Sequence, residues 1–265
     1  MEVITFDFQK KLTKSMSLID LVVFDMAGTT VRDRHEVEKC FLEAANYTGL
    51  SVTPERVLAL QGYSKIYVFE LLWSEMIGEK HPDLKEYVNI SYLKFCEILE
   101  NHYYRNEIVP TEGCLETFAF LKEKNIKIAL TTGFYRKVTD IILEKLGWLD
   151  GLNNEYVGNR STLIQASIAS DEVPKGRPEP NMIQLAMKKL NVHDAFKVLN
   201  IGDTPSDLKS GIRASCRMSL GVTNGTHTRQ QLSIHRNDGL LDNIAELKGI
   251  IQNLEEIKAE YLAYF

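Results

Sequence analysis

The chain has 265 residues, 44% hydrophobic and 25% charged, with a formal net charge of −5. That suits one large or two moderate globular domains with a buried core. It argues against a general binder of nucleic acid or of anionic membrane, and no apolar run is long enough to span a bilayer. Four scattered cysteines, Cys40, Cys96, Cys114 and Cys216, form no CxxC pair, read as reduced thiols and suggest a cytoplasmic location. Residues 1–17 lack an apolar signal-peptide core and are expected to be an N-terminal extension without an assigned role.

A first strand is predicted from Ile19 to Phe24, an apolar run that stops at Asp25. Arg32 to Arg34 read as a charged, hinge-like stretch. From His35 the period turns helical, with Val37, Phe41, Ala44 and Ala45 on one face and Gly49 as the stop. Thr53 and Pro54 predict the N-cap and first position of a second helix. Gly62 interrupts again; a third helix follows through Phe69, Leu72, Trp73 and Met76 until His81-Pro82 breaks it. Asp83 is expected to cap a long helix to about Tyr104, buried through Val88, Tyr92, Phe95 and Leu99. Residues 35–108 are therefore expected to be all helical.

After Pro110, helix and strand alternate. Helices are expected over Gly113–Lys124, Arg136–Leu146 and Asn181–Leu190, one more between Asp207 and Met218, and a last one from Ile244. Strands are expected over Ile126–Leu130, Ile164–Ala169, Phe196–Ile201 and Met218–Val222, while 150–164 read as irregular. Such alternation implies a parallel sheet covered on both faces. The fold expected is α/β, a doubly wound, Rossmann-like core of residues 18–34 and 109–265, with the helical block 35–108 inserted as a cap.

Asp25 follows a buried strand directly, at the tip where open α/β sheets place their ligands. Gly28 lets the backbone turn and aim N–H groups at an anion, and Thr29 and Thr30 add hydroxyls. Taken alone, an acid that caps the next helix and a glycine that merely turns would look the same. A carboxylate repels a phosphate, so the pairing makes chemical sense with a cation between them. Asp25 suits either a metal ligand or a nucleophile towards phosphorus. Two more strand ends repeat the design, at Thr132-Gly133 and at Asp203 with Asp207, and a basic loop near residue 177 precedes the latter. Together they supply what phosphoryl transfer needs: an attacking carboxylate, a second carboxylate for Mg2+, donors for the equatorial oxygens and a fixed cation.

These four motifs, in this order, resemble those of the haloacid dehalogenase superfamily of phosphohydrolases. The resemblance covers roughly Leu18 to Leu247. It implies that Asp25 becomes the aspartyl-phosphate and that Thr132 and Gly133 grip the phosphoryl oxygens, with Thr29 adding a donor. It implies Arg177, in Arg177-Pro178-Glu179-Pro180, as the fixed cation in preference to Lys175. Mg2+ would be held by Asp25, the carbonyl of Ala27 and Asp203, with Asp207 supporting.

One departure carries most weight. Most phosphatases of the family have an acid two residues after the nucleophile, to protonate the leaving oxygen; here Ala27 stands there, and a methyl group cannot move a proton. The Asp-x-Ala-Gly-Thr-Thr form resembles the phosphonatase branch, which cleaves a carbon–phosphorus bond through an imine between a cap lysine and the substrate aldehyde. Gly62-Tyr63-Ser64-Lys65 matches that cap motif and implies Lys65 as imine former and substrate ligand. A solvated lysine at a helix start would read the same. Val68 and Phe134 replace a histidine and a tyrosine of that branch, which leaves the substrate open. The expected ligand is a small phosphonate or phosphorylated metabolite; a phosphate-monoester phosphatase and a phosphate-binding protein with little turnover are the alternatives. A homodimer through the cap is suggested by the resemblance alone. His227 reads as a loop histidine with local bonds.

Overall fold

The first apolar run folds as β1 (Leu21–Asp25), buried on both faces, as a central strand of a parallel sheet must be. The structure, a computed structural model, describes residues 18–263; the expected extension at 1–17 lies outside the described residues. Five more strands join it: β2 (Lys127–Thr131), β3 (Ala166–Ile168), β4 (Val198–Gly202), β5 (Met218–Val222) and β6 (Gly239–Leu241). All pairings are parallel, in the order β3-β2-β1-β4-β5-β6. The order reverses between β1 and β4, and a ligand crevice is expected outside the strand ends at such a switch point.

Four helices lie between β1 and the rest: α1 (Glu36–Thr48), α2 (Pro54–Ala59), α3 (Lys65–Ile77) and α4 (Leu84–Arg105). Then come α5 (Cys114–Glu123), α6 (Arg136–Lys145), α7 (Asn181–Lys189), α8 (Pro205–Arg213), α9 (Arg229–Ser233) and α10 (Leu247–Ala263). The alternation of β1 divides the core. Val22 and Phe24 join Phe118, Leu121, Ile142 and Ile251, whereas Leu21 and Val23 face Met182, Ile183 and Ala186 of α7.

Several boundaries differ from expectation for local reasons. Asp25 belongs to β1 itself, in register with Thr131, so the strand runs one residue further. β4 begins at Val198 because Asp194 caps a 3-10 turn over Ala195–Lys197, accepting from Phe196 N at 2.9 Å. Asp83 makes no side-chain cap, whereas Thr53 caps α2 through Arg56 N at 3.3 Å. β6 was not expected; three residues carry no readable period.

The helical insertion packs around aromatic rings that belong to the same buried cluster as Phe24 and Phe118. The Phe41 and Phe69 rings stack at 4.2 Å, and Phe95 closes on both at 5.8 and 6.0 Å. Trp73 Nε1 donates to Ser91 Oγ at 2.8 Å, which satisfies the one polar atom of the indole. The two chain crossings into the insertion lie side by side: Val31 bridges Pro110, and Arg32 N donates to Val109 O at 3.0 Å. Phe69 is fully buried, so Phe69→Ala should lower stability by about 3–5 kcal/mol in urea titration. Ile234→Ala, at a position 79% exposed, should stay within about 0.5 kcal/mol.

Candidate active site

The ends of β1, β2 and β4 bring Asp25, Thr131 and Asp203 to one edge, and the first turn of α8 adds Asp207. Carboxylate oxygens of Asp25, Asp203 and Asp207 all lie within 4.8 Å of one another, and all three residues are buried. Such a cluster needs a cation. Arg177, 5% exposed, supplies one. Its Nη1 donates to Asp25 Oδ1 at 2.5 Å and pairs with Asp207 Oδ1 at 2.9 Å. Its Nη2 donates to Thr131 O at 2.9 Å and to Thr131 Oγ1 at 2.7 Å. Lys175, the other basic residue of that loop, is exposed.

The remaining carboxylate oxygens are held by short local bonds. Asp207 Oδ2 accepts from Thr204 Oγ1 at 2.5 Å and Thr204 N at 3.1 Å, an arrangement set by the N-cap of α8. Asp203 Oδ2 accepts from Thr226 N and Thr226 Oγ1, both at 2.7 Å. Thr29 is fully buried and donates to Asp203 Oδ1 at 3.4 Å, so its hydroxyl supports an acid and is absent from the cavity wall described below. Gly28 has φ +87°, and a Cβ there would overlap the Asp203 carboxylate; only glycine gives both the turn and the close approach.

One arginine does not balance three buried acids. Burial, reinforced by Asp207 and Asp203 and opposed by Arg177, holds the Asp25 carboxyl well above the usual carboxylate range. Burial and Asp207 push Asp203 up to about 6.

Over this edge closes the insertion. A small cavity of about 30 Å³ is walled by Asp25, Ala27, Thr132 and Gly133 below and by Gln61, Gly62 and Lys65 above. Asp33, Val37, Phe134, Thr204 and Thr226 complete it. The Gly62 carbonyl abuts Gly133 so closely that a Cβ on Gly133 would come within 2.9 Å of it. Ser206 Oγ donates to Gln61 O at 3.2 Å, a second tie between the insertion and the sheet edge. Lys65 is 7% exposed and donates to Gln61 Oε1 at 3.1 Å. Burial lowers its ammonium to about 8, with Asp33 and Asp25 opposing the shift. It is therefore a buried amine in the cavity rather than a solvated lysine.

Asp25, Ala27, Lys65, Thr132, Gly133, Arg177, Asp203 and Asp207 thus converge. Sequence reasoning missed Asp33, Gln61, Thr131 and Thr226. Asp33 sits between two arginines and Gln61 beside a turn glycine, contexts that look like surface. Thr131 differs from Thr132 only in strand register. His227 is buried with Nδ1 at 3.0 Å from Thr226 Oγ1, a local contact as expected.

A family description, haloacid dehalogenase-like hydrolase, matches residues 19–215. The chain belongs to that family and is a hydrolase of phosphatase or phosphonatase type. Within the family its likeness runs to the phosphonatase branch. It is 26% identical over 270 residues to a phosphonoacetaldehyde hydrolase of Bacillus cereus strain G9842, covering 90% of this chain and 97% of that one. It is 30% identical over 220 residues to a phosphonoacetaldehyde hydrolase of Bacillus anthracis, covering 78% and 77%. In fold it resembles a phosphonoacetaldehyde hydrolase like protein from Oleispira antarctica, with a TM-score of 0.72 at 18% identity over 90% of this chain and 93% of that one.

The raised Asp203 pKa has a consequence for stability. Asp203 titrates near 6 when folded and near ~3.9 when unfolded, so the folded chain binds the extra proton between those values. The stability this carboxyl contributes is whole below about 4 and lost as pH rises through about 6. In metal-free buffer Asp203→Asn should therefore raise the thermal midpoint at pH 7.5, by at least about 2 °C, and raise it less at pH 5.

Proposed function

We propose that the chain is a Mg2+-dependent phosphohydrolase that cleaves a small phosphonate aldehyde, with Lys65 as imine former and Asp25 as nucleophile. The observation that carries this reading is the cavity itself: a buried amine lines the same small cavity as the nucleophile, and Ala27 stands where most phosphatases of the family carry their leaving-group acid. The sequence likeness to phosphonoacetaldehyde hydrolases supports it.

The donor set suits Mg2+. Asp25, Asp203 and the Ala27 carbonyl are hard oxygen ligands, Asp207 supports them, and three buried acids against one arginine leave a charge for a cation to neutralise. When bound, the ion would offset negative charge between the phosphoryl group and the carboxylates.

In the proposed reaction residues 35–108 act as a cap over the core of residues 18–34 and 109–265. A cavity of about 30 Å³ holds little more than a water or two, so this cap lifts to admit substrate and closes to exclude solvent. Neutral Lys65 condenses with the aldehyde. The Asp25 carboxylate attacks phosphorus, with Oδ2 assigned to the bond because Oδ1 accepts from Arg177. Arg177, Thr132 and Gly133 hold the phosphoryl oxygens. The electron pair of the breaking C–P bond moves into the iminium and leaves an enamine, so no acid is needed as the bond breaks; a proton from water then goes to the carbon that carried phosphorus and restores the iminium. Water then hydrolyses the aspartyl-phosphate and the imine.

A phosphate-monoester reading is the second. Its support is the apolar Phe134 and Val68, both buried, where the phosphonatase branch carries polar residues. The test is to incubate the protein with phosphonoacetaldehyde and Mg2+, add borohydride, and measure intact mass beside phosphate release. We expect a reduced adduct on Lys65, absent in Lys65→Arg, and release at least about 10³-fold slower in Asp25→Asn. Phosphate release from esters without any adduct would replace the first reading by the second. Because Lys65 reacts only as the free amine, adduct formation should rise with pH towards about 8.

A further inference from the structure

Two carboxylates line the closed cavity, Asp25 and Asp33. Asp25 is engaged by Arg177; Asp33 has no part in the reaction above. It lies just past the bridge between Val31 and Pro110, on the crossing that leads into α1, and Glu36 N donates to its Oδ1 at 2.8 Å. That bond fixes the carboxyl at the mouth of α1, on the cavity wall that also carries Lys65. The wall offers Lys65 no other acid besides the nucleophile.

We propose that Asp33 is the proton-transfer carboxyl that serves Lys65 in making and breaking the imine. This rests on the imine reading above. Lys65 Nζ first adds to the aldehyde carbon; the N–C bond forms, the carbonyl π pair moves to oxygen, and the proton lost by nitrogen ends on that oxygen. Asp33, as the acid, then protonates the hydroxyl as the C–O bond breaks. Water leaves, the nitrogen lone pair forms the C=N bond, and an iminium and an Asp33 carboxylate remain. In release, water attacks the iminium carbon and Asp33 takes its proton, which restores the acid.

The surroundings suit both halves. Burial, with the Glu36 carboxyl beside it, raises Asp33 to about 8, close to Lys65. The charged and titratable groups that face Asp33 are Glu36 and Cys40 of α1, Lys65 of α3, Tyr103 of α4, and Asp203 beyond β4. One proton moved from Lys65 to Asp33 turns an ammonium and a carboxylate into an amine and a carboxylic acid, both reactive forms, without any proton from solvent. Imine formation needs the free amine and the carboxylic acid together, so its rate should peak near pH 8, where both groups titrate.

The experiment is rapid-quench borohydride trapping with phosphonoacetaldehyde across roughly pH 6–10, which brackets the titrations near 8, with Mg2+-dependent binding of inorganic phosphate measured in parallel. Asp33→Asn should slow adduct formation at least about 10²-fold and abolish its alkaline limb, while phosphate affinity stays within about twofold. Asp33→Glu should recover part of the rate. Glu36→Gln, outside the cavity, should move the alkaline limb to lower pH, and it decides the matter if Asp33→Asn fails to fold. Unchanged trapping and an unchanged limb in these variants would overturn the role of Asp33 and leave Lys65 standing. No adduct in the wild type would overturn the imine reading, and this role with it.

Discussion

The structure depends on one guanidinium. Arg177 is the only basic side chain that ion-pairs with the buried acids Asp25 and Asp207 among the described residues. It also ties both to the end of β2 through Thr131. Its planar fork meets three partners at once, which a lysine ammonium could not do with the same geometry. Removing it would leave several acids buried against one another in a low dielectric, a far larger cost than losing a surface ion pair. The loop that carries it, the strand ends and α8 are therefore one electrostatic unit.

That unit was legible because each part follows a strand. Asp25, Thr132-Gly133 and Asp203 each stand where an apolar run stops, and a parallel sheet puts all such ends on one edge. Register resisted reading. Thr131, next to the Thr132 read for the phosphoryl oxygens, takes the arginine, and a period-2 element reverses its faces with a shift of one residue. Thr29 resisted for another reason: a hydroxyl beside Gly28 reads as an anion donor, yet in the turn at Gly28 it donates to Asp203.

The cavity wall was the least legible part, because it is assembled from segments that never adjoin in sequence. Asp33 comes from the first crossing, Gln61 and Lys65 from the insertion, Phe134 from beyond β2 and Thr226 from beyond β5. A motif reports spacing within one segment; burial of Lys65 is a property of how segments close on each other. Its side chain is buried where Gly62 and Tyr63, just before α3, close on Gly133 at the sheet edge, and nothing in Gly62-Tyr63-Ser64-Lys65 states that.

The glycine contact has an evolutionary corollary. Where the insertion meets the sheet edge at Gly62 and Gly133, main chain lies against main chain, and a Cβ on Gly62 would overlap Ser206 and Thr204. A seam of that kind cannot be graded by exchanging one side chain for a slightly larger one; it is either shut or wedged apart. Change in the shape of the cavity is thereby channelled away from the seam and onto the side chains around it, Val37, Gln61 and Phe134, where size and polarity can drift in small steps while the main-chain contact holds.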